Sequence, residues 1–265
     1  MADRARHGRS RAGEFWPAAL FGVLLLAIWQ IVSASGLVPG YMLPGPLRIG
    51  AAFAADFPLL MRHLARTLSE AAAGLALALA FSFILAVLMD ANRLLRNALS
   101  PLLFLTQTMP TIALAPLLIL WMGYGAAPKI TLICITCFFP LTVGILGAFS
   151  HTDEDALRLL KSMGAKRRQL YRYIKIPEAL PAFFSGLRIS ASYSIIGAVI
   201  SEWLGGEAGL GVYMIRVRKS YSFDRMFAAI FLVAFLSLAL IGLIAFIEKI
   251  AMPWKRNIRQ EGDCL

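Results

Sequence analysis

Few side chains in this sequence have the types and spacing for chemistry, and the most suggestive are two cysteines. Cys134 and Cys137 form a C-x-x-C pattern, which is the spacing of redox dithiols and of zinc ligands. The pair lies in an uncharged stretch, and neither an accessible thiolate nor a further ligand set accompanies it. We therefore expect both cysteines to be small packing residues on a helix face. Cys264, a lone thiol near the C-terminus, fits a reducing compartment.

The sequence lacks the signatures of the common hydrolases. It contains no G-x-x-x-x-G-K-[ST] loop to cradle nucleotide phosphates, no H-E-x-x-H and no G-x-S-x-G. The three histidines, His7, His63 and His151, fall outside the longest apolar runs. We predict that the chain is not an enzyme, needs no metal or other cofactor, and cannot hydrolyse ATP by itself.

Polar groups in apolar sequence are the remaining candidates for function. Ser190, Ser194 and Ser201 recur at roughly helical spacing and could line a polar path together with Glu202, although serines also serve close helix packing. Glu70 and Glu202 could instead bind a coupling ion, as an ion-coupled carrier requires, if they lay deep in a membrane. Both fall near the ends of apolar runs, which favours interfacial acids.

The elements that must position these residues are membrane helices. The chain is 59% hydrophobic and 15% charged, whereas soluble domains are about a quarter charged. Spanning a bilayer takes about 20 apolar residues, and the runs lack the alternation of barrel strands. The sequence predicts an all-α membrane protein with about six spans, in residues 15–47, 71–89, 97–128, 130–150, 179–206 and 226–247. Pro110 and Pro116 should kink the third span.

The basic residues predict the topology. A cytoplasmic N-terminus and C-terminus place 17 of the 26 Lys and Arg residues inside, as the positive-inside rule requires. The net charge of +11 is thereby explained without nucleic acid. We expect a basic cytoplasmic region at 1–14, a membrane domain at 15–250 and a cytoplasmic tail at 251–265. Residues 32–34 also fit a signal-cleavage pattern, but the apolar run is too long for a signal core, so we expect no cleavage.

Residues 152–177, TDEDALRLLKSMGAKRRQLYRYIKIP, form the longest charged insert and carry seven Lys or Arg residues. Thr152 can cap a helix, with Asp155 reaching back to it. Gly164 should end that helix in the left-handed conformation. A second amphipathic helix follows, and Pro177 should close it. The first helix carries an apolar stripe at helical spacing, made of Ala156, Leu159, Leu160 and Met163.

Two interpretations of this basic helix pair remain open from the residues alone. The pair can rest on anionic lipid and orient the chain. Alternatively, the apolar stripe can dock into a groove on a partner protein.

The spacing after Gly164 resembles a known motif. Nine residues, of which Ala165 is the first, separate Gly164 from Ile174-Lys175-Ile176-Pro177. This is similar to the cytoplasmic EAA loop of the permeases of bacterial ABC importers, written EAA, three residues, G, nine residues, I-x-L-P. The acid and both alanines are replaced by Arg158, Leu159 and Leu160. The LPGP loop, HLARTL and the remaining spans extend the resemblance over most of the chain.

The resemblance implies a type I importer permease in the bacterial inner membrane. It implies a coupling loop at 151–178, two permease copies as a homodimer, two ATPase subunits beneath them and an external binding protein. ISEWLGGEAGLGVYM is most similar to permeases for hydroxymethylpyrimidine, a thiamine precursor, with sulfonate, taurine or nitrate as the alternative. The ATPase-coupling residues would be Asp155, Ala156, Leu159, Leu160, Met163, Gly164, Ala165, Ile174 and Pro177.

Overall fold

A computed structural model describes residues 12–36 and 38–253, and within those ranges the chain is helical with no strand. The expected basic N-terminal region, apart from residues 12–14, lies outside the described residues. The tail from residue 254, which includes Cys264, does too.

Eleven α-helices occur in the described part of the chain. In chain order they are α1 (Ala12–Ala34), α2 (Pro46–Ala55), α3 (Phe57–Ala91), α4 (Arg93–Thr108), α5 (Thr111–Met122), α6 (Ala127–Ser150), α7 (Glu154–Ser162), α8 (Arg167–Leu170), α9 (Ile176–Gly205), α10 (Leu210–Lys219) and α11 (Phe223–Ala251). A π-helical turn, Tyr171–Lys175, joins α8 to α9.

Four helical segments of the described chain are long and apolar enough to cross a membrane: α3, α6, the continuous segment Arg167–Gly205, and α11. The pair α4 and α5 meets the same test jointly and brings the number to five. The expected first span corresponds to α1, whose apolar part Ala19–Ala34 is shorter. The predicted all-α membrane architecture is confirmed.

The expected kink in the third span is a full break. α4 and α5 are bent by 100° at Met109 and Pro110. A proline disfavours the helical conformation of the residue before it, and Met109 accordingly has an extended ψ of 124°. Pro116 lies inside α5 without interrupting that helix. Of the two prolines, only Pro110 therefore separates two helices.

The chain divides into two compact units, of which the smaller comprises residues up to Leu60 together with Met214–Phe231. Inside this unit, the Trp29 ring of α1 packs against Phe227 and Phe231 at centroid distances of 6.2 and 5.9 Å. Arg225 and Asp56 form an ion pair at 3.4 Å. These contacts join α1 and α2 to the first turns of α11.

Among the described residues, the larger unit comprises Met61–Tyr213 and 232–253 and contains the helix pair α6 and α9 at its core. The two helices approach closely at Gly186, where a Cβ atom would lie 3.0 Å from the carbonyl oxygen of Pro140. Ile133, Leu141 and Ile195 are fully buried beside this crossing. Because α9 has 30 residues, its ends lie about 45 Å apart at about 1.5 Å per residue. Groups at those two ends therefore form separate sites.

Candidate coupling segment and transport cavity

The predicted coupling segment, residues 151–178, begins at α7. The helix cap is Asp153 and not Thr152 as expected: the Asp153 carboxylate accepts from the backbone N–H groups of Asp155 and Ala156 at 2.9 and 3.4 Å. Thr152 instead donates its hydroxyl to the Ala148 carbonyl at the end of α6. Asp153 is the better cap of the two residues because a carboxylate at the helix N-terminus also interacts favourably with the helix dipole.

The end of α7 follows the prediction. Gly164 has a φ of +81°, in the left-handed region that glycine adopts without a Cβ penalty. The Ala165 N–H donates to the Leu160 carbonyl at 3.0 Å, which closes the helix as in a Schellman motif. Gly164 therefore turns the chain sharply out of α7.

The apolar stripe of α7 is largely exposed in this chain. Leu159 retains 61% of its surface and Met163 retains 77%, while Ala156 and Leu160 are half-buried. No residue of α7 is fully buried. Apolar side chains repeated along one helix face and left exposed are typical of a binding surface.

The second half of the segment differs from the prediction at Pro177. The sequence predicts that Pro177 closes a short helix, whereas the chain runs from α8 through the π-helical turn into α9 without a break. Pro177 lies in the first turn of α9, directly after the π-helical turn. Ile174 is buried, whereas Ala165 and Pro177 are half-buried. The segment is therefore a direct extension of a membrane helix.

A polar cluster that the sequence analysis missed attaches this extension to α3. Lys175 Nζ lies 2.5 Å from Asp90 Oδ2, and the Tyr171 hydroxyl donates to the same oxygen. Arg167 Nη2 donates to the Ala91 carbonyl at 2.8 Å, and the Phe149 ring of α6 meets Tyr171 edge-on at 5.8 Å. The sequence contained one sign of this cluster: Asp90 is an acid that directly follows a charge-free run. Its partner lies 85 residues away, so no local pattern identifies the pair.

At the opposite end of α9, the two glutamates are enclosed by other protein groups. Glu70 and Glu202, expected as interfacial acids, are 2% and 1% exposed. Lys129, expected in an external loop, is buried and pairs with Glu70 at 3.0 Å. Arg66 pairs with the same Glu70 oxygen at 2.8 Å.

Glu202 organises the loop that follows α9. Its carboxylate accepts from Thr67 Oγ1 and from the Gly211 N–H, both at 2.7 Å. The Gly209 N–H donates to His63 Nδ1 at 3.0 Å. A Cβ atom on Gly209 would lie 2.1 Å from the Glu202 carboxyl carbon, so only glycine fits there. This network explains the EWLGGEAGLG pattern as a loop wrapped on a buried carboxylate.

The three predicted path serines are buried in the interior of the larger unit. Ser190 Oγ donates to the Cys137 carbonyl at 3.1 Å, and Cys137 Sγ donates to the Ser190 carbonyl at 3.2 Å. Ser194 and Ser201 donate to carbonyls of their own helix. The C-x-x-C pair thus contributes to packing between α6 and α9, and a path along these serines stays a prediction.

The neighbouring face of α9 lines a cavity instead. This cavity has a volume of about 210 Å³ and lies beside the break between α4 and α5. It is lined by Thr106, Gln107, Met109, Thr111, Leu114, Ile135, Thr136, Tyr193, Ile196, Gly197 and Ile200. None of these side chains is charged. We call this space the break cavity.

The bundle of apolar helices, its broken helix and the charged segment extending from α9 define a multi-pass membrane protein of the transporter class. The chain belongs to the family described as the binding-protein-dependent transport system inner membrane component, which matches residues 74–251. It is therefore a permease subunit of an ABC importer in the inner membrane. This membership replaces the alternative of an ion-coupled carrier.

Three relatives match nearly the whole chain. The chain is 36% identical to the formylaminopyrimidine transport permease protein ThiX of Halalkalibacterium halodurans, over 90% of this chain and 95% of the relative. It is 34% identical to the riboflavin transport system permease protein RibX of Chloroflexus aurantiacus, over 91% and 92%. It is 27% identical to a putative aliphatic sulfonates permease, SsuC of Bacillus subtilis, over 97% and 93%.

A solved structure supports the fold. An inward-facing MetNI methionine ABC transporter matches with a TM-score of 0.66 at 18% identity, over 74% of this chain and 97% of that one.

Proposed function

We propose that this permease moves a small pyrimidine-type thiamine precursor, of which hydroxymethylpyrimidine is the model, into the cell, driven by a separate ATPase that binds α7. The observation that carries the coupling role is the exposed apolar stripe on a segment continuous with α9. A groove on the ATPase would cover Leu159 and Met163, which are 61% and 77% exposed here.

The connections of α7 explain how its movement would reach the membrane helices. α8, the π-helical turn and α9 form one continuous helical segment of 39 residues. The Asp90 cluster ties the same segment to α3. Because packed helices shift as rigid elements between discrete arrangements, a displacement of α7 would move α9 and α3 together. The chain thus supplies a two-state element, and ATP hydrolysis belongs to the partner.

The complex we propose contains two copies of this chain, two ATPase subunits and an external binding protein. Both chain termini and the coupling segment face the cytoplasm, as the distribution of basic residues favours. In the coupling segment, Asp155 and Ala156 begin α7, Leu159, Leu160 and Met163 contact the ATPase, and Gly164 and Ala165 set the exit angle. Ile174 and Pro177 join the segment to α9. Lipid surrounds the remaining apolar faces.

The substrate assignment rests on the relatives. Two of them at 34% and 36% identity are named for heterocyclic compounds, formylaminopyrimidine and riboflavin. Relatives named for sulfonates and taurine are 27% identical, and one named for nitrate is 24% identical. A heterocycle is therefore the first candidate and an alkanesulfonate, taurine or nitrate the second. A deletion strain that still used the pyrimidine but lost growth on an alkanesulfonate would reverse this order.

The coupling role is tested by placing a charge on the stripe. Leu159→Asp puts a carboxylate at an exposed position, so the permease should fold and insert, but docking would bury an unpaired charge. Burying the remaining surface of one leucine contributes about 1–2 kcal/mol, so recovery of the co-expressed ATPase with tagged permease should fall at least about fivefold. Ser162→Asp, exposed and off the stripe, is the matched control.

Two further variants separate docking from lipid binding and from helix direction. Lys166→Gln with Arg168→Gln removes basic charge while leaving Arg167 on the Ala91 carbonyl. If the segment only rests on lipid, the double Gln variant should reduce transport more than Leu159→Asp does. The Leu159→Asp permease should then still bind the ATPase. Gly164→Val should also lose the ATPase because valine is strained at φ +81°, whereas Gly164→Asn should retain it.

A further inference from the structure

The break cavity occurs where the backbone itself leaves the helical conformation. Non-helical backbone at membrane depth is tolerated where it is buried in protein or lines a cavity. In transporters, broken helices direct half-helix ends toward bound substrates. Here the last turn of α4 and the first turn of α5 both contribute lining residues, with Gln107 on one side of the break and Thr111 on the other.

The volume of the break cavity accommodates one ring with small substituents. Its volume of about 210 Å³ lies below the range of about 300–1,000 Å³ that is usual for drug-sized ligands. The cavity is open to the surface, because its lining residues Met109, Tyr193 and Ile196 are 44%, 43% and 49% exposed.

The lining offers no countercharge to a fully charged ligand. Of the eleven residues that line the cavity, none is Lys, Arg, Asp or Glu. An ion stripped of water without a countercharge is strongly disfavoured. The single helix N-terminus of α5 offers only partial positive charge. A sulfonate or nitrate is therefore a poor fit, whereas a neutral polar ring is not penalised in this way.

The polar lining groups offer both acceptors and donors. The hydroxyls of Thr106 and Thr136 donate to the carbonyls of Leu103 and Ile133, at 2.7 and 2.9 Å. These two bonds use the hydroxyl protons, so the oxygen lone pairs remain able to accept from an amino group. Gln107 carries one carbonyl oxygen and one NH₂ group. The NH₂ group can donate to a ring nitrogen while the oxygen accepts from an adjacent exocyclic amine. Tyr193 adds an aromatic face on which a heterocycle can stack.

We propose that the break cavity is a transport subsite for an uncharged 4-aminopyrimidine, in which the Gln107 amide pairs with the ring nitrogen and amino group while Tyr193 stacks on the ring. This inference rests on the proposed function and adds to it the residues that select the substrate. It also places the substrate on the Tyr193 face of α9 rather than on the predicted serine face.

Protection of a reporter cysteine tests the subsite in the full complex of permease, ATPase and binding protein in nanodiscs. Thr111→Cys provides a lining thiol, with Cys134 and Cys264 replaced by alanine. The probe is 4-amino-5-hydroxymethyl-2-methylpyrimidine, and the readout is the rate of maleimide labelling. The pyrimidine should slow labelling, whereas its analogue without the amino group and taurine should not.

Substitutions of the two contact residues then identify the binding groups. Gln107→Leu and Tyr193→Ala in the reporter background should each raise the half-protecting concentration about tenfold or more, the scale of one bidentate pair or one stacked ring. Tyr193→Phe, which keeps the ring, should bind nearly normally. Thr108→Val is the matched control, because Thr108 is exposed on the same helix turn and does not line the cavity.

Uptake by the same complexes, reconstituted into proteoliposomes, distinguishes failure of this inference from failure of the proposed function. If the unsubstituted complex imports the pyrimidine with ATP, but Gln107→Leu and Tyr193→Ala protect and transport normally, the subsite is wrong and the function stands. If the unsubstituted complex imports taurine and not the pyrimidine, the substrate assignment itself is wrong. Import that falls in both variants, while binding-protein-stimulated ATP hydrolysis continues, supports the subsite.

Discussion

Replacing Asp90 by alanine should loosen the coupling segment from α3 and uncouple ATP hydrolysis from transport. Asp90 holds Lys175 at 2.5 Å and accepts from the Tyr171 hydroxyl. Without the carboxylate, the Lys175 ammonium remains beside the Phe149 and Tyr171 rings with no countercharge. The ATPase should still bind, because α7 is unchanged, but α3 should no longer follow the motion of α9.

The expected loss of stability follows from the burial of the pair. The Asp90 side chain is 7% exposed and the Lys175 side chain 16%. Removing one partner of a buried pair costs about 3–5 kcal/mol, and the remaining exposure of Lys175 places this case near the lower end, about 3 kcal/mol. At about 2–4 °C per kcal/mol for a chain of comparable size, the melting temperature should fall by about 6–12 °C.

The assay is thermal unfolding of the purified complex, followed by ATP consumed per substrate imported in proteoliposomes. Asp90→Ala with Lys175→Met is the matched control, because removing both charges of a buried pair is often neutral or stabilising. The double variant should recover most of the melting temperature. A single variant that melts within about 1 °C of the unsubstituted protein and transports with normal stoichiometry would refute the role given to this pair.

Two further predictions concern the loop after α9 and the topology. Gly209→Ala should destabilise the larger unit by about 1–3 kcal/mol through overpacking against Glu202, which a lower melting temperature would show. Gly242 has open space around it, so Gly242→Ala should leave the melting temperature unchanged. Equal effects of the two substitutions would contradict the packing argument. Ser162→Cys should resist a membrane-impermeant maleimide added to intact cells and react in inverted vesicles; ready labelling from outside would reverse the proposed orientation.

The sequence determined those features that depend on local patterns. Apolar runs of about 20 residues require backbone hydrogen bonds to be made within each segment, so the helices follow from composition alone. A proline acts on its immediate neighbours, so the sequence predicted a bend at Pro110 and at Pro116, and the prediction was wrong for Pro116. Gly164 marked the end of α7 for the same kind of reason, since only glycine adopts a φ of +81° without strain.

Other features of the site depend on residues that are distant in sequence. Hydropathy shows only that Glu202 lies near the end of an apolar run, whereas its burial requires Thr67 and the Gly211 N–H to meet its two oxygens. The ion pair of Lys129 and Glu70 likewise joins different helices.

Tertiary structure also decided which face of α9 meets a cavity. The serine spacing in α9 fits a polar path and a packed face equally well, because both need small polar residues at helical intervals. Only the approach of α6 brings Ser190 against Cys137 and leaves Tyr193 and Ile196 at the break cavity. Helix periodicity gives the relative orientation of side chains around one axis, and the neighbouring helices determine which orientation is buried.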